Sequence, residues 1–278
     1  MTISLGLMMF PALMILIFIG FPVAFSLFGV AILFGYLRFG DVLVHQLIAK
    51  VDDVASYYVL SAVPLFIFMG CMLEKSGVSE KLFEAVHLVT RKLPGGLAIA
   101  TIVLCVFFAA ASGVVGAAES VVGLMVISVM LRHGYDKGLI SGTICAGGSL
   151  GTIIPPSVVV VILSPIAGVG VGNLFVGIMF PGLILAGLYI VYILLRCSVW
   201  PEDGPSDDNS ESCGSIGRQA WVVFSSLVPL FGLIFSVLGT IMLGWATPTE
   251  AGAMGASGTI ILTILYRTFS WILLQDAF

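Results

Sequence analysis

The chain has 278 residues, of which 59% are hydrophobic and 9% are charged, and its formal net charge is −4. Soluble domains carry about 25% charged residues, so this composition excludes a soluble globular protein and predicts an all-α polytopic membrane protein. We expect six to seven transmembrane helices, one re-entrant helical hairpin and one broken helix. The sequence contains no nucleotide-binding loop, zinc motif or paired nucleophile and base, so we expect no enzyme activity, no cofactor and no nucleic-acid partner.

The N-terminal region is predicted to consist of scaffold helices. Its first apolar run is split at Gly20-Phe21-Pro22 into two helices, because proline is well placed in the first turn of a helix. The mixed, polar residues 38–57 are expected to form a loop outside the cell. Tyr58–Leu73 is predicted to be the third span, kinked at Pro64 because the missing N–H frees a carbonyl one turn back.

An amphipathic helix is predicted to follow over residues 74–93, on the cytoplasmic surface. Leu82, Val86 and Val89 recur at helical spacing and are expected to line its apolar face.

The next segment, residues 98–130, is predicted to be a re-entrant hairpin. Basic residues flank both of its ends, including Arg91 and Arg132, and short loops rich in lysine and arginine stay in the cytoplasm. As a helix, Ala98–Ala111 covers only about 21 Å, whereas the hydrocarbon core is about 30 Å thick. The alternative is a single tilted span, which would put Ser112-Gly113 at its centre and one basic loop outside.

A broken helix is predicted over residues 139–166, with the break within Gly147–Ser157. Glycines and the Pro155-Pro156 pair occur together there, and proline biases the preceding residue away from the α region. We therefore expect Ser149–Thr152 to be non-helical within the membrane.

The two breaks supply the candidate ion- and substrate-binding residues. Carbonyls and hydroxyls exposed at helix breaks suit a hard cation such as Na⁺, and half-helix N-termini suit a carboxylate. Ser112 and Thr152 are the candidate Na⁺ ligands. The alternative is that small residues only allow close helix packing. The full set is Ser112, Gly113, Gly116, Glu119, Ser149, Gly151, Thr152, Pro155, Pro156 and Ser157.

Two carboxylates within apolar segments have different interpretations. Glu119 lies seven residues after Ser112, a spacing that puts both on one face of a helix, and an ionisable residue within the membrane is a functional hypothesis. Alternatively, Glu119 pairs with Arg132 or His133, or faces a water-filled vestibule without a role. Glu250 lies in the first turn of a span that Thr247 can cap, which favours a structural role.

These observations divide the chain into five regions and predict an N-terminus outside the cell. The five regions are the scaffold helices with the amphipathic helix (1–97), the transport-type region (98–166), a transmembrane helix (167–196), an acidic cytoplasmic loop (197–219) and a C-terminal region (220–278). In this last region Val228-Pro229-Leu230-Phe231 repeats Val63-Pro64-Leu65-Phe66, which is a faint hint of a second, truncated repeat.

Several stretches resemble, in order along the chain, the large membrane subunit of tripartite ATP-independent periplasmic (TRAP) transporters, the DctM-like family. They include Val63-Pro64-Leu65-Phe66, Leu93-Pro94-Gly95-Gly96, Ala111-Ser112-Gly113, Gly147–Ser157 and Ala246-Thr247-Pro248-Thr249-Glu250. Val114-Val115-Gly116 and Glu119 depart from the usual pattern of the family. Because family members are longer and contain an inverted second repeat, the resemblance implies that this chain is the truncated first part of such a transporter.

The resemblance also implies a function and partners. The protein is expected to be a Na⁺-coupled secondary transporter in the bacterial inner membrane that imports a small organic acid. A periplasmic substrate-binding protein and a small four-helix membrane subunit are the expected partners, alongside the lipid bilayer. An ion channel or pore subunit, which would also use broken helices, and a truncated subunit that does not transport remain the alternatives.

Overall fold

A computed structural model describes residues 2–113, 115–205, 216–266, 268, 270–271 and 274–275. Within these ranges all regular secondary structure is helical, which confirms the predicted all-α polytopic fold class. The chain forms two compact units, Met1–Tyr58 and Val59–Phe278.

The first unit contains three helices: α1 (Thr2–Ile19), α2 (Val23–Phe39) and α3 (Val42–Ala55). The turn between α1 and α2 contains Gly20, with φ +99°, and ends at Pro22, which confirms the predicted division of the first apolar run. The predicted loop over 38–57 is wrong, because most of it is the helix α3. This helix has an apolar side that contacts α2, which stabilises a helix that composition alone did not indicate.

The second unit contains the remaining helices. They are α4 (Ala62–Lys75), α5 (Val78–Thr90), α6 (Gly96–Ser112), α7 (Val115–Arg132), α8 (Lys137–Ile153), α9 (Val158–Ala167), α10 (Val171–Val199), α11 (Ile216–Ile234), α12 (Thr240–Met242) and α13 (Pro248–Leu265). A π-helical segment, Phe235–Gly239, joins α11 to α12.

Among the described residues, two helical segments are long and apolar enough to cross a membrane by themselves. These are Tyr58–Lys75, which joins a 3₁₀ turn to α4, and α10. The pair α8 and α9 passes the same test as one span bent by 42°. Several shorter apolar helices accompany them, including α1 and α2. The predicted number of six to seven spans stays a prediction.

Helix α6 is the centre of the second unit, because it packs against α4, α5, α7, α8, α10 and α11. Most of its described side chains are buried: Ala98, Ala100, Ile102 and Leu104 have no exposed surface, whereas Val103, Val106 and Phe107 are partly exposed. A helix that is apolar around its whole circumference requires such surroundings. The core of this unit is therefore built around the first arm of the predicted hairpin.

The amphipathic helix α5 supports one side of α6. Leu82 and Val86 of the predicted apolar face are buried, whereas Val89 is 65% exposed. Helical spacing puts Val89 on the same side, but burial also needs a neighbour that covers the position, and no described helix covers this side chain.

Helices α4 and α13 pack closely because α13 presents glycines to α4. A methyl group added at Gly252 would lie 3.1 Å from Leu65 Cβ, and one added at Gly255 would meet Met69. Pro64 lies in the first turn of α4, where the missing N–H disturbs no helical hydrogen bond, so the predicted kink is wrong.

The predicted cap at the start of α13 is present. Thr247 Oγ1 accepts a hydrogen bond from the Glu250 N–H, and Glu250 Oε2 accepts one from the Thr247 N–H at 2.8 Å. This capping box satisfies two N–H groups that the first turn leaves unpaired. The structural interpretation of Glu250 is confirmed.

Candidate functional site

The segment 98–130 folds as a helical hairpin, not as one continuous span. Helices α6 and α7 contact each other and are joined through Gly113, whose φ of +62° is the left-handed conformation that glycine adopts at a helix C-terminus. At the other end, the Leu97 N–H donates to the hydroxyl of Tyr135, 3.2 Å away. The start of α6 and the end of α7 therefore lie together, whereas the cytoplasmic side assigned to them stays a prediction.

The base of the hairpin is held by the start of the predicted acidic loop. The Gly95 N–H donates to the Gly204 carbonyl at 3.1 Å, and the Asp136 N–H donates to the Asp203 carbonyl at 3.0 Å. Asp203 also accepts from Arg196 Nε at 2.9 Å. Residues 200–205 are thus packed against the hairpin, and α10 runs through to Val199, which corrects the predicted start of the loop at residue 197. Residues 206–215 lie outside the described part of the chain.

The tip of the hairpin lies against the break between α8 and α9. The Gly113 carbonyl accepts a hydrogen bond from the Val158 N–H at 3.5 Å, and the Pro156 carbonyl contacts the position where a Cβ of residue 113 would be. Only glycine fits this contact, since any larger residue would push the two backbones apart. The structure therefore brings the two predicted breaks together.

The break in the second helix is confined to residues 154–157. Ile154 has extended backbone angles, the Pro155–Pro156 peptide bond is cis, and Ser157 is extended before α9 begins. The prediction that Ser149–Thr152 is non-helical is wrong, because α8 continues to Ile153.

Two hydrogen bonds within α8 satisfy the hydroxyls of its small polar residues. Ser149 Oγ donates to the Ala146 carbonyl at 2.7 Å, and Thr152 Oγ1 donates to the Ser149 carbonyl at 2.8 Å, so both hydroxyls are satisfied within the helix. The glycines meet close neighbours: a methyl group at Gly147 would lie 2.6 Å from Cys105 Sγ of α6. These glycines therefore serve helix packing, which is the alternative that the sequence left open.

Glu119 is half-buried and its side chain packs directly on Gly148 of α8. The argument that put it on one face with Ser112 is wrong, because Ser112 ends α6 and the turn at Gly113 separates the two helices. Pairing with Arg132 is also excluded, since Arg132 lies about 20 Å further along α7. Within the described residues Glu119 has no hydrogen-bond or ion-pair partner.

The predicted site residues fall into two groups. Gly113, Pro155, Pro156 and Ser157 meet where the hairpin tip contacts the break, and all four are buried. Glu119, Ser149, Gly151 and Thr152 lie on the helices that lead to this place. Ser112 ends α6 and Gly116 lies in the first turn of α7, but their side chains are outside the described part.

Ser157 combines burial with an unpaired polar atom. It has no exposed surface, and its Oγ has no hydrogen-bond partner in the described residues. The Pro156 carbonyl precedes it in the chain, and the Gly113 carbonyl lies across the contact. Buried polar groups without partners are rare in proteins. Oxygen atoms of this kind are the ligands that hard cations prefer. The Val158 N–H and the Pro156 carbonyl had no signal in the sequence, because backbone groups become available only where the helix ends.

The sequence model of the family described as "Tripartite ATP-independent periplasmic transporter, DctM component" matches residues 10–277. The chain belongs to the DctM family. Members of this family are components of transporters, and the family implies a protein of the bacterial inner membrane.

Several relatives of this DctM chain carry names. The C4-dicarboxylate TRAP transporter large permease protein DctM of Vibrio cholerae is 34% identical over 253 residues, which are 90% of this chain and 54% of the relative. The Pseudomonas aeruginosa protein of the same name is 34% identical over 236 residues, 83% of this chain and 53% of the relative. The sialic acid TRAP transporter permease protein SiaT of Haemophilus influenzae is 26% identical over 254 residues, which are 90% of this chain and 39% of the relative. The chain thus spans about half the length of the first two relatives.

Proposed function

We propose that the chain is part of the membrane permease of a Na⁺-coupled TRAP transporter that imports a small organic acid. The observation that carries this proposal is the contact between the hairpin tip at Gly113 and the break at Pro155–Ser157. Interrupted helices within a membrane are tolerated where they line a cavity, and ions and substrates commonly bind there.

Oxygen atoms at this contact, and on α8 where it leads to the contact, support Na⁺ as the co-transported ion. Ser157 Oγ is buried without a partner, and Thr152 Oγ1 keeps its lone pairs because it acts as the donor in its hydrogen bond to Ser149. With the hydroxyl of Ser112, these groups form the proposed cation ligands. Ser112, Gly113, Gly116 and the Pro155–Ser157 segment are the proposed substrate contacts, because the N-terminus of α9 favours a carboxylate.

The partners belong to the same proposal. The family description names a tripartite transporter, and we propose a periplasmic substrate-binding protein and a small four-helix membrane subunit as the other two components. An organic acid is favoured as the substrate because relatives are named for C4-dicarboxylates and sialic acid.

Uptake into vesicles tests the proposal, with this chain joined to a matching second repeat of the family and its partner subunits. Uptake of a C4-dicarboxylate is measured against Na⁺ concentration for Ser157→Ala and Thr152→Ala. Loss of one oxygen ligand in a poorly solvated place costs roughly 1–3 kcal/mol, which is about 5- to 150-fold in Na⁺ affinity. Thr101→Ala is the matched control, because the Thr101 hydroxyl, like that of Thr152, donates within its own helix, to the Leu97 carbonyl, but lies about 18 Å along α6 from Gly113.

Two results would contradict the proposal. Equal uptake with K⁺ in place of Na⁺ would show that Na⁺ is not the coupling ion. An unchanged Na⁺ requirement in both variants, with normal amounts of protein in the membrane, would remove these residues from the ion site and leave packing as their role.

A further inference from the structure

A cavity of about 470 Å³ lies between α8 and α10, away from the hairpin tip. Its floor is Ile102 of α6, and its wall on α10 includes Leu185, Leu188 and Tyr189. Binding sites for small molecules commonly have volumes of about 300–1,000 Å³ and are mostly apolar, with a few polar groups. The size and lining of this cavity are therefore those of a ligand site.

The concave shape comes from the side of α8 that faces the cavity. Gly138, Gly142 and Ala146 recur at intervals of four residues and so share one face of the helix. A methyl group added at Gly142 would have no atom within 4 Å. Small residues here do not serve close packing, in contrast to Gly147 on the other side of α8, which contacts Cys105.

Helices α8 and α10 run antiparallel along the cavity. Gly182, before the middle of α10, contacts Ile153 at the end of α8, whereas Arg196 lines the cavity together with Gly138 at the start of α8. The cavity therefore extends from a polar mouth at Arg196 to an apolar end at Leu185 and Ala146. Leu188 and Tyr192 are more than half exposed on this side, so the opening faces outward from the helix bundle.

A buried hydroxyl lines the cavity below its mouth. Thr143 is only 4% exposed, and its Oγ1 has no hydrogen-bond partner among the residues that the structure describes. The hydroxyls of Thr101 and Thr152 each donate to a carbonyl of their own helix. A buried hydroxyl without a partner is unfavourable, so Thr143 requires an acceptor from whatever fills the cavity.

The mouth has a cation with free donors. Arg196 Nε donates to Asp203 at 2.9 Å, and one Nη1 hydrogen goes to the Tyr192 hydroxyl at 3.1 Å. A guanidinium group has five N–H donors in a planar fork, so three have no acceptor among the described residues, and such a fork suits phosphate. Asp203 is ion-paired with Arg196, and Asp136 Oδ2 lies beside Gly138, so the anion is recognised through the remaining donors of Arg196 and not through an excess of positive charge.

We propose that this cavity binds one glycerophospholipid molecule of the surrounding membrane. The phosphate lies against Arg196, an ester carbonyl of the glycerol backbone accepts from Thr143, and an acyl chain lies along Gly142 and Ala146. Arg196 lines the cavity beside Gly138, and Thr143 lies about 7.5 Å further along α8. Arg196 and Thr143 therefore follow each other in the order in which a lipid presents its phosphate and its ester. Basic pockets between transmembrane helices bind lipid headgroups in this way.

The test uses the purified 278-residue chain in a non-ionic detergent with added 1-palmitoyl-2-oleoylphosphatidylglycerol, and bound lipid is measured by native mass spectrometry. Gly142→Leu fills the cavity from an open position and should abolish binding. Gly142→Ala is the matched control and should retain it. Arg196→Gln and Thr143→Val should each weaken binding by about tenfold, the loss expected for one hydrogen bond at a buried or charged group.

Thermal unfolding in lipid-free detergent shows whether each variant is folded, and Gly142→Leu should match Gly142→Ala there. Equal lipid retention by these two variants would overturn the proposal. A diacylglycerol with the same chains that bound as tightly would also overturn it, because the phosphate would then not be recognised. A third result would also overturn it: in native membranes, a photoreactive residue at position 142 cross-links to a protein and not to lipid.

Discussion

Replacement of Gly113 by alanine tests whether the hairpin tip is seated on the break. The substitution has two costs. Alanine in the left-handed region costs about 1–2 kcal/mol, and its Cβ would meet the Pro156 carbonyl, so the backbone must shift at a further cost of about 1–3 kcal/mol. We expect a total loss of about 2–5 kcal/mol in the free energy of unfolding.

Gly168 is a matched control for the backbone conformation. It ends α9 as Gly113 ends α6, with φ of +65° against +62°, and its N–H likewise donates to the carbonyl four residues earlier. A methyl group at Gly168 would have no atom within 4 Å. Gly168→Ala should therefore lose only the conformational part, about 1–2 kcal/mol.

The assay is equilibrium unfolding of the purified chain in detergent micelles with increasing sodium dodecyl sulfate, followed by circular dichroism. Asparagine adopts the left-handed conformation more readily than alanine, so Gly168→Asn should be nearly neutral while Gly113→Asn remains destabilised. Equal losses at Gly113 and Gly168 would refute the contact between the hairpin tip and the break.

Three further predictions concern other parts of the second unit. Gly95→Ala would put a methyl group 2.7 Å from Cys197 Sγ and should lower the free energy of unfolding by about 2 kcal/mol or more in the same assay. Adding Cys197→Ala to this variant should restore about 1 kcal/mol, and no recovery would contradict the contact. Thr247→Ala should cost about 1 kcal/mol through loss of the capping box, whereas Ser257→Ala, whose exposed hydroxyl donates within α13, should cost little; equal effects would argue against the cap. Single cysteines at Arg91 and Arg132 should react with a membrane-impermeant reagent only from the cytoplasmic side, and labelling from opposite sides would exclude the hairpin.

The features predicted correctly from the sequence depend on local backbone chemistry and composition. The apolar composition determined the all-α membrane class. Residues with special backbone preferences marked places where helices end: Gly20 between α1 and α2, Gly113 at the hairpin tip and Pro155-Pro156 between α8 and α9. Proline and glycine act within one turn of the chain, so their effect can be read without knowledge of the neighbours.

Only the tertiary structure decided which small residues break a helix and which allow packing. Gly147 and Gly148 occur in the same stretch as the true break, yet they are helical because Cys105 and Glu119 from the hairpin fill the space beside them. The same holds for Ser157, which is fully buried and whose hydroxyl has no hydrogen-bond partner among the described residues. These outcomes depend on which faces of distant helices meet, and no local sequence pattern contains that information.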